Sequence, residues 1–204
     1  MDDIVKQAMA KWPNVPHVYG WLALDRRGVW RIKGDAVTNT VIAGFIGRNY
    51  SHDGMGRWFF QNGPQRVFVE LEYTPFVYRI VWNADPHAPL NIETHTGSAV
   101  HGIESAWVDE TGVLLLATEH GAGLLDDRNL ELLLPWLTDQ AGNALDEETI
   151  AARMEVIQAA NDADLCLNHA ERRVPLRAIA SAAVAAKFDF VPKPLQPAGE
   201  EPCQ

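Results

Sequence analysis

Apolar and polar positions alternate most regularly between residues 56 and 82, GRWFFQNGPQRVFVELEYTPFVYRIVW. Three runs rich in aromatic and β-branched residues, at 57–61, 66–73 and 76–82, are separated by turn residues, as consecutive strands are. In the second run Val67, Val69, Leu71 and Tyr73 share one face, and Arg66, Phe68, Glu70 and Glu72 the other. That alternation predicts a strand with one buried and one largely wet face. Asn62-Gly63 tolerates the positive φ of a tight hairpin. Thr74-Pro75 interrupts the ladder, because proline has no N–H to give it. The pattern predicts a three-stranded antiparallel meander.

The rest of the chain gives shorter signals. Apolar residues at helical spacing predict a helix over 2–12, stopped at Pro13. Strands are predicted at 19–24 and 29–32 around the turn Asp25-Arg26-Arg27-Gly28. Thr38 or Asn39 caps a helix that continues to about residue 49, with Val41, Ile42, Phe45 and Ile46 as its apolar stripe. Residues 83–89 are rich in Pro, Asp and Asn and mark an internal boundary. Beyond it, strands are predicted at 90–95, 106–108 and 113–117, the last two around Asp109-Glu110-Thr111-Gly112. Asp126 or Asp127 caps a leucine-marked helix that Pro135 kinks or ends. A further helix over 146–161 has Asp146 as its cap. A strand at 174–180 and a short helix at 181–187 follow, and residues 188–191 complete the core.

The two Asp-x-x-Gly hairpins lie 84 residues apart, Gly28 to Gly112, and each precedes a linker and a capped helix. This predicts an α+β fold of two small related subdomains, each an antiparallel sheet with a packed helix, joined near residues 83–89. The N-terminal subdomain, with the meander, spans 1–85 and the C-terminal one 86–191. The proline-rich tail, 192–204, is expected to be disordered.

Charge narrows the choice of partner. The formal net charge is −10 and no basic stripe offsets it, which argues against a nucleic acid or an anionic membrane surface. Only Cys166 and Cys203 are present, so no disulfide framework is expected and a reducing cytoplasm fits. No apolar run approaches the ~20 residues of a membrane helix, and the N-terminus lacks an export signal. The reading is of a soluble cytoplasmic protein, its oligomeric state left open.

No nucleophile motif, phosphate loop or dinucleotide fingerprint is present. His95 and His101, near Glu104 and Asp109, match no ligand spacing and read as surface histidines. No metal or cofactor is therefore expected. His52-Asp53 reads as turn chemistry, and Cys166 as packing. The tryptophans individually read as core. The candidate binding surface is the hairpin tip formed by Arg57, Trp58, Gln61, Asn62, Gln65 and Arg66, where polar groups cluster beside aromatics. Arg66 is its expected anchor for a small anionic ligand or an acidic peptide, because a guanidinium forks onto oxyanions. Three functions stay open: a non-catalytic regulatory or signalling binder, a hydrolase-type enzyme with dispersed His, Asp and Arg residues, and a structural subunit of a larger complex.

At WPNVPHVYGWLALDRRGVW and GRWFFQNGPQRVFVELEYTPFV the sequence resembles an uncharacterised proteobacterial family known only as a domain of unknown function. The resemblance covers residues 1 to about 110. More distantly, the Asp25–Trp30 turn, the helix at 38–49 and the run from Gly56 to Phe76 resemble the bacterial family called domain of unknown function 1285. That resemblance implies two related α+β subdomains and ligand binding in signalling, and it carries over no catalytic residue.

Overall fold

The computed structural model describes residues 1–12, 15–83 and 89–197. Its fold is α+β, and the chain divides into two compact units: residues 1–75 with 189–204, and residues 76–188.

The first unit opens with helix α1 (Asp3–Lys11), which buries Val5 but leaves Ile4 and Trp12 exposed. Strands β1 (Val18–Leu24), β2 (Trp30–Ile32) and β3 (Asp35–Ala36) lead to helix α2 (Thr40–Arg48). Asn39 caps α2, its side chain accepting from the Val41 and Ile42 amides. Strands β4 (Tyr50–His52), β5 (Trp58–Asn62) and β6 (Gln65–Leu71) complete a six-stranded sheet of order β3-β2-β1-β6-β5-β4. The β1–β6 pair is parallel and the others antiparallel, so the sheet is mixed where a wholly antiparallel one was expected.

The second unit contains β7 (Phe76–Ile80), β8 (Ile92–Thr94), β9 (Ile103–Val108), β10 (Leu114–Thr118) and β11 (Gly121–Leu125). A 3-10 turn capped by Asp126 runs into α3 (Leu130–Leu133), and the chain leaves α3 through a second 3-10 turn containing Pro135. Then come β12 (Leu137–Thr138), α4 (Glu147–Gln158, capped by Asp146), β13 (Cys166–His169), β14 (Arg172–Ala178) and α5 (Val184–Lys187). The sheet order is β12-β13-β14-β9-β10-β11-β7-β8, with β9–β14 and β7–β11 parallel.

The predicted meander is corrected in two places. Its first two runs are the β5–β6 hairpin, but Asn62 pairs with Gln65, so Gly63-Pro64 is the two-residue turn and Gly63 carries the positive φ. The third run, β7, pairs with β8 and β11 of the second unit. The units therefore divide at Pro75 and not near residue 85; residues 84–88 of the expected boundary lie outside the described residues. Pro75 ends one ladder as foreseen, but a period of two cannot say which sheet the next strand joins. On the face of β6 expected to be largely wet, Arg66 and Glu70 are partly exposed, but Phe68 is buried between the rings of Tyr19 and Phe59.

The predicted tail also changes. The Val191 N–H donates to the Gly56 carbonyl and the Leu71 N–H to that of Pro192. Phe190 is buried, so residues 189–192 complete the first unit; 198–204, with Cys203, lie outside the described residues.

The two sheets share a six-strand plan. The order β11-β10-β9-β14-β13-β12 repeats β3-β2-β1-β6-β5-β4, parallel pair included. Leu22↔Ile32 and Leu24↔Trp30 correspond to Ala106↔Leu116 and Val108↔Leu114, and Asn62↔Gln65 to His169↔Arg172. Each unit also has two copies of one turn, at Asp25 and Asp53 and at Asp109 and Asp139. In all four the Asp N–H donates to the carbonyl four residues on, and a glycine three residues on donates to the Asp carbonyl. The Asp Oδ1 accepts the amide four residues on, and the glycine holds φ between 71° and 92°, a region that other residues enter at a cost. The second unit adds β7 and β8 at one edge and inserts α4 before β13.

Candidate functional site

The hairpin residues singled out from the sequence divide between two faces of the sheet, because neighbours on a strand point oppositely. Arg57 is held by Asp53, Nε to Oδ2 at 2.8 Å and Nη2 at 2.6 Å, and lies 4.8 Å over the Phe68 ring. Burial tends to raise the Asp53 carboxyl, but the Arg57 guanidinium and two backbone amides bring it below the usual carboxylate range. His52 turns its Nδ1 to the Asp53 carbonyl at 3.1 Å and stacks obliquely on Trp58; the pair serves the turn, as its glycine suggested. Trp58 and Gln61 are buried, Gln61 Nε2 donating to the Gly63 carbonyl at 2.9 Å. Gln65 donates to the Pro16 carbonyl. The structure thus uses Arg57, Trp58, Gln61 and Gln65 to hold the fold.

Arg66 stands apart. Its guanidinium stacks 4.6 Å from the Phe59 centroid. The carboxylates on its side of the strand are engaged elsewhere: Glu70 with Lys193 at 3.7 Å, and Glu72 with the Arg26 amide at 3.1 Å.

Asn62 is on the opposite face, at the edge of a cavity of about 270 Å³ between α2 and the sheet. Trp21, Leu22 and Ile32 line it from β1 and β2, Phe60 and Val67 from the hairpin, and Ile42, Phe45 and Ile46 from α2. The Asn39 cap fixes the start of α2, so the stripe Ile42, Phe45 and Ile46 faces the sheet at i, i+3, i+4 spacing. Lys33 holds its ammonium over the ring of the lining residue Trp21, 3.8 Å from the centroid. Around the mouth Val41 is 75% exposed, Ile42 47%, Ile32 42% and Trp21 38%. Of the sequence candidates only Asn62 belongs to this cavity. The α2 stripe was the available signal, but a stripe alone does not tell filled core from open groove.

The other chemical candidates resolve as structure. His95 is not a surface residue: its Nδ1 accepts from the Val77 N–H at 3.3 Å, and burial, aided by the Arg79 charge, lowers its pKa to about 3. Asp109 is buried and spends its carboxylate on Thr111 and Val113. Among the described residues no group of three or more His, Cys, Asp or Glu side chains is placed to hold a metal ion. Cys166 is buried in β13, and burial raises its thiol pKa. Tryptophans are less uniformly core than expected: Trp30 and Trp58 are buried, whereas Trp12, Trp21 and Trp82 are exposed. Among the described residues no helix is long and apolar enough to cross a membrane.

No curated protein matches the chain. Among solved structures it is similar to a DUF1285 family protein from Silicibacter pomeroyi DSS-3. The two share 14% identity over 81% of this chain and 85% of that one, with a TM-score of 0.54. A DUF1285 family protein from Shewanella baltica OS155 also matches, at 19% identity, 55% and 88% coverage, and a TM-score of 0.42. The first likeness supports the α+β fold. The family model DUF2944, described as "Protein of unknown function (DUF2946)", matches residues 1–195. The chain belongs to the DUF2944 family.

Proposed function

We propose that the protein is a non-catalytic binding protein whose first unit takes a small, largely apolar molecule between α2 and the sheet. The cavity lined by Trp21, Ile42, Phe45, Phe60 and Val67 carries this reading. About 270 Å³ is nearly twice the ~150 Å³ cavity that accepts benzene in an engineered protein, so one ring with a short substituent fits. Asn62 is the single polar side chain in the lining, able to donate and accept, and no lining residue can act as nucleophile, acid or base. An acidic group at the outer end of the ligand meets Lys33, which keeps the expected anionic character but moves its anchor from Arg66. The six-strand plan and four identical turns further support an origin of the two units by internal duplication.

A thermal-shift screen of small aromatic alcohols and acids against the wild type and Val67→Phe tests the reading. Ligands of the cavity stabilise the wild type and lose their effect when the new ring fills the space. Hits that stabilise both proteins equally refute it. The exposed Val41 and Ile42 on α2 favour a second reading, a partner docked over the same mouth. In that case Val41→Glu abolishes a complex or self-association seen by light scattering.

A further inference from the structure

The hairpin of the second unit that corresponds to β5–β6 carries a different chemistry. Asn62, Gln65 and Arg66 are matched by His169, Arg172 and Arg173 on β13 and β14. A cavity of about 390 Å³ opens beside them, lined also by Trp136, Leu90 and Asn168.

Three observations mark it as a binding site. His169 is only 7% exposed, yet its Nδ1 is buried without a hydrogen bond to any described group. Leaving such an atom unpaired costs about 1–3 kcal/mol, and buried polar groups are nearly always paired. Second, Arg172 and Arg173 flank the cavity on exposed positions of β14. Arg173 reaches back to the Gln140 carbonyl, whereas no described carboxylate forms an ion pair with Arg172. With the Arg173 guanidinium turned to Gln140 and Gly142, Arg172 is the cation left at the rim, in a chain of charge −10. Third, the turn Ala170-Glu171 holds both residues at positive φ, 46° and 62°, where the first unit has Gly63-Pro64. Non-glycine residues pay for that conformation, and here it sets His169 directly across from Arg172.

We infer that the second unit binds a small planar organic acid, its ring against Trp136 and its carboxylate between Arg172 and His169. A carboxylate accepts from the guanidinium fork and from an imidazole N–H together, and an indole face suits a planar body. The site is independent of the first-unit cavity and differs from it in charge.

Benzoate is the probe, with benzamide as its neutral isostere. The full chain, labelled with ¹⁵N-histidine, is titrated with each while ring nitrogen signals and binding heat are recorded. Benzoate is expected to bind saturably and to shift the His169 ring nitrogens. Arg172→Ala and His169→Asn each weaken it about tenfold, equivalent to 1.4 kcal/mol. The asparagine variant copies the residue at the matching place in the first unit, and Arg172 is exposed, so both variants are expected to fold. The inference is overturned by absence of saturable benzoate binding, by equal binding of benzamide, or by an Arg172→Ala affinity equal to wild type.

Discussion

Replacing Gly56 by alanine tests whether residues 189–192 are part of the first unit. Gly56 has φ +71°, and an added Cβ lies 2.4 Å from the Asp189 carbonyl oxygen and 3.1 Å from the Phe190 Cα. Gly34, in the same unit, has φ +92° but nothing within 4 Å of an added Cβ. Both substitutions incur the left-handed penalty, about 1–2 kcal/mol for a residue with a Cβ. Only Gly56→Ala must also push backbone away. Relieving that contact breaks the Val191 N–H to Gly56 carbonyl bond of 2.9 Å, worth about 1 kcal/mol. It also loosens Phe190, whose full burial contributes about 1.5–3 kcal/mol. The expected losses are about 1–2 kcal/mol for Gly34→Ala and about 3–5 kcal/mol for Gly56→Ala. At this chain length each kcal/mol lowers the melting temperature by about 2–4 °C. Urea unfolding followed by tryptophan fluorescence measures both variants. Equal losses would refute the docking of the C-terminal segment on Gly56.

Arg57→Ala is expected to cost more than Arg66→Ala in the same urea assay. Arg57 holds a largely buried pair with Asp53, two guanidinium nitrogens on Oδ2, whereas Arg66 loses a half-buried stack on Phe59 worth about 0.5–2 kcal/mol. Stability is expected to fall on both sides of a plateau. The folded pKa of His95 is depressed to about 3, so its contribution is complete above 6.5 and declines as pH falls toward 3. The lowered carboxyls of Asp53 and Asp126 add to that decline below about 4. Burial raises the Tyr50 and Tyr78 hydroxyl pKa values, so their contribution is lost as pH rises above about 10. Urea midpoints across pH check this, and His95→Gln should flatten the decline between 6.5 and 4. A midpoint that rises as pH falls through that interval contradicts the neutral buried imidazole.

The α+β class was legible in local chemistry. Asn39 and Asp146 announce their helices as caps, and Asp25 and Asp109 announce hairpins through glycines that hold positive φ. What escaped was long-range pairing. Phe76–Ile80 alternates as well as β6 does, and only its partners Gly121–Leu125 and Ile92–Thr94 place it in the other sheet. Two of those partners' positions are glycines, Gly121 and Gly123, which read as loop. Gly123 is glycine because a Cβ there would lie 2.4 Å from the Tyr78 ring. The turns at Asp53 and Asp139 complete the repeated plan, but Gly54-Met55 and Gln140-Ala141 share no side chain with the other two turns. Their kinship is in the Asp-x-x-Gly spacing, with its capping carboxylate and positive-φ glycine, and in the backbone hydrogen bonds. The site suffered likewise: one hairpin sequence was read as one surface, while strand alternation sent Asn62 toward α2 and Arg66 to the far face.

The most direct test of ligand binding in the first unit is a ¹H–¹⁵N titration of the full chain with p-cresol, whose ring and single hydroxyl match the cavity and Asn62. Binding in the cavity predicts saturable shifts confined to Trp21, Phe45, Phe60, Asn62 and their neighbours, and their disappearance in Val67→Phe. Shifts that do not saturate, or that persist unchanged in Val67→Phe, would contradict it.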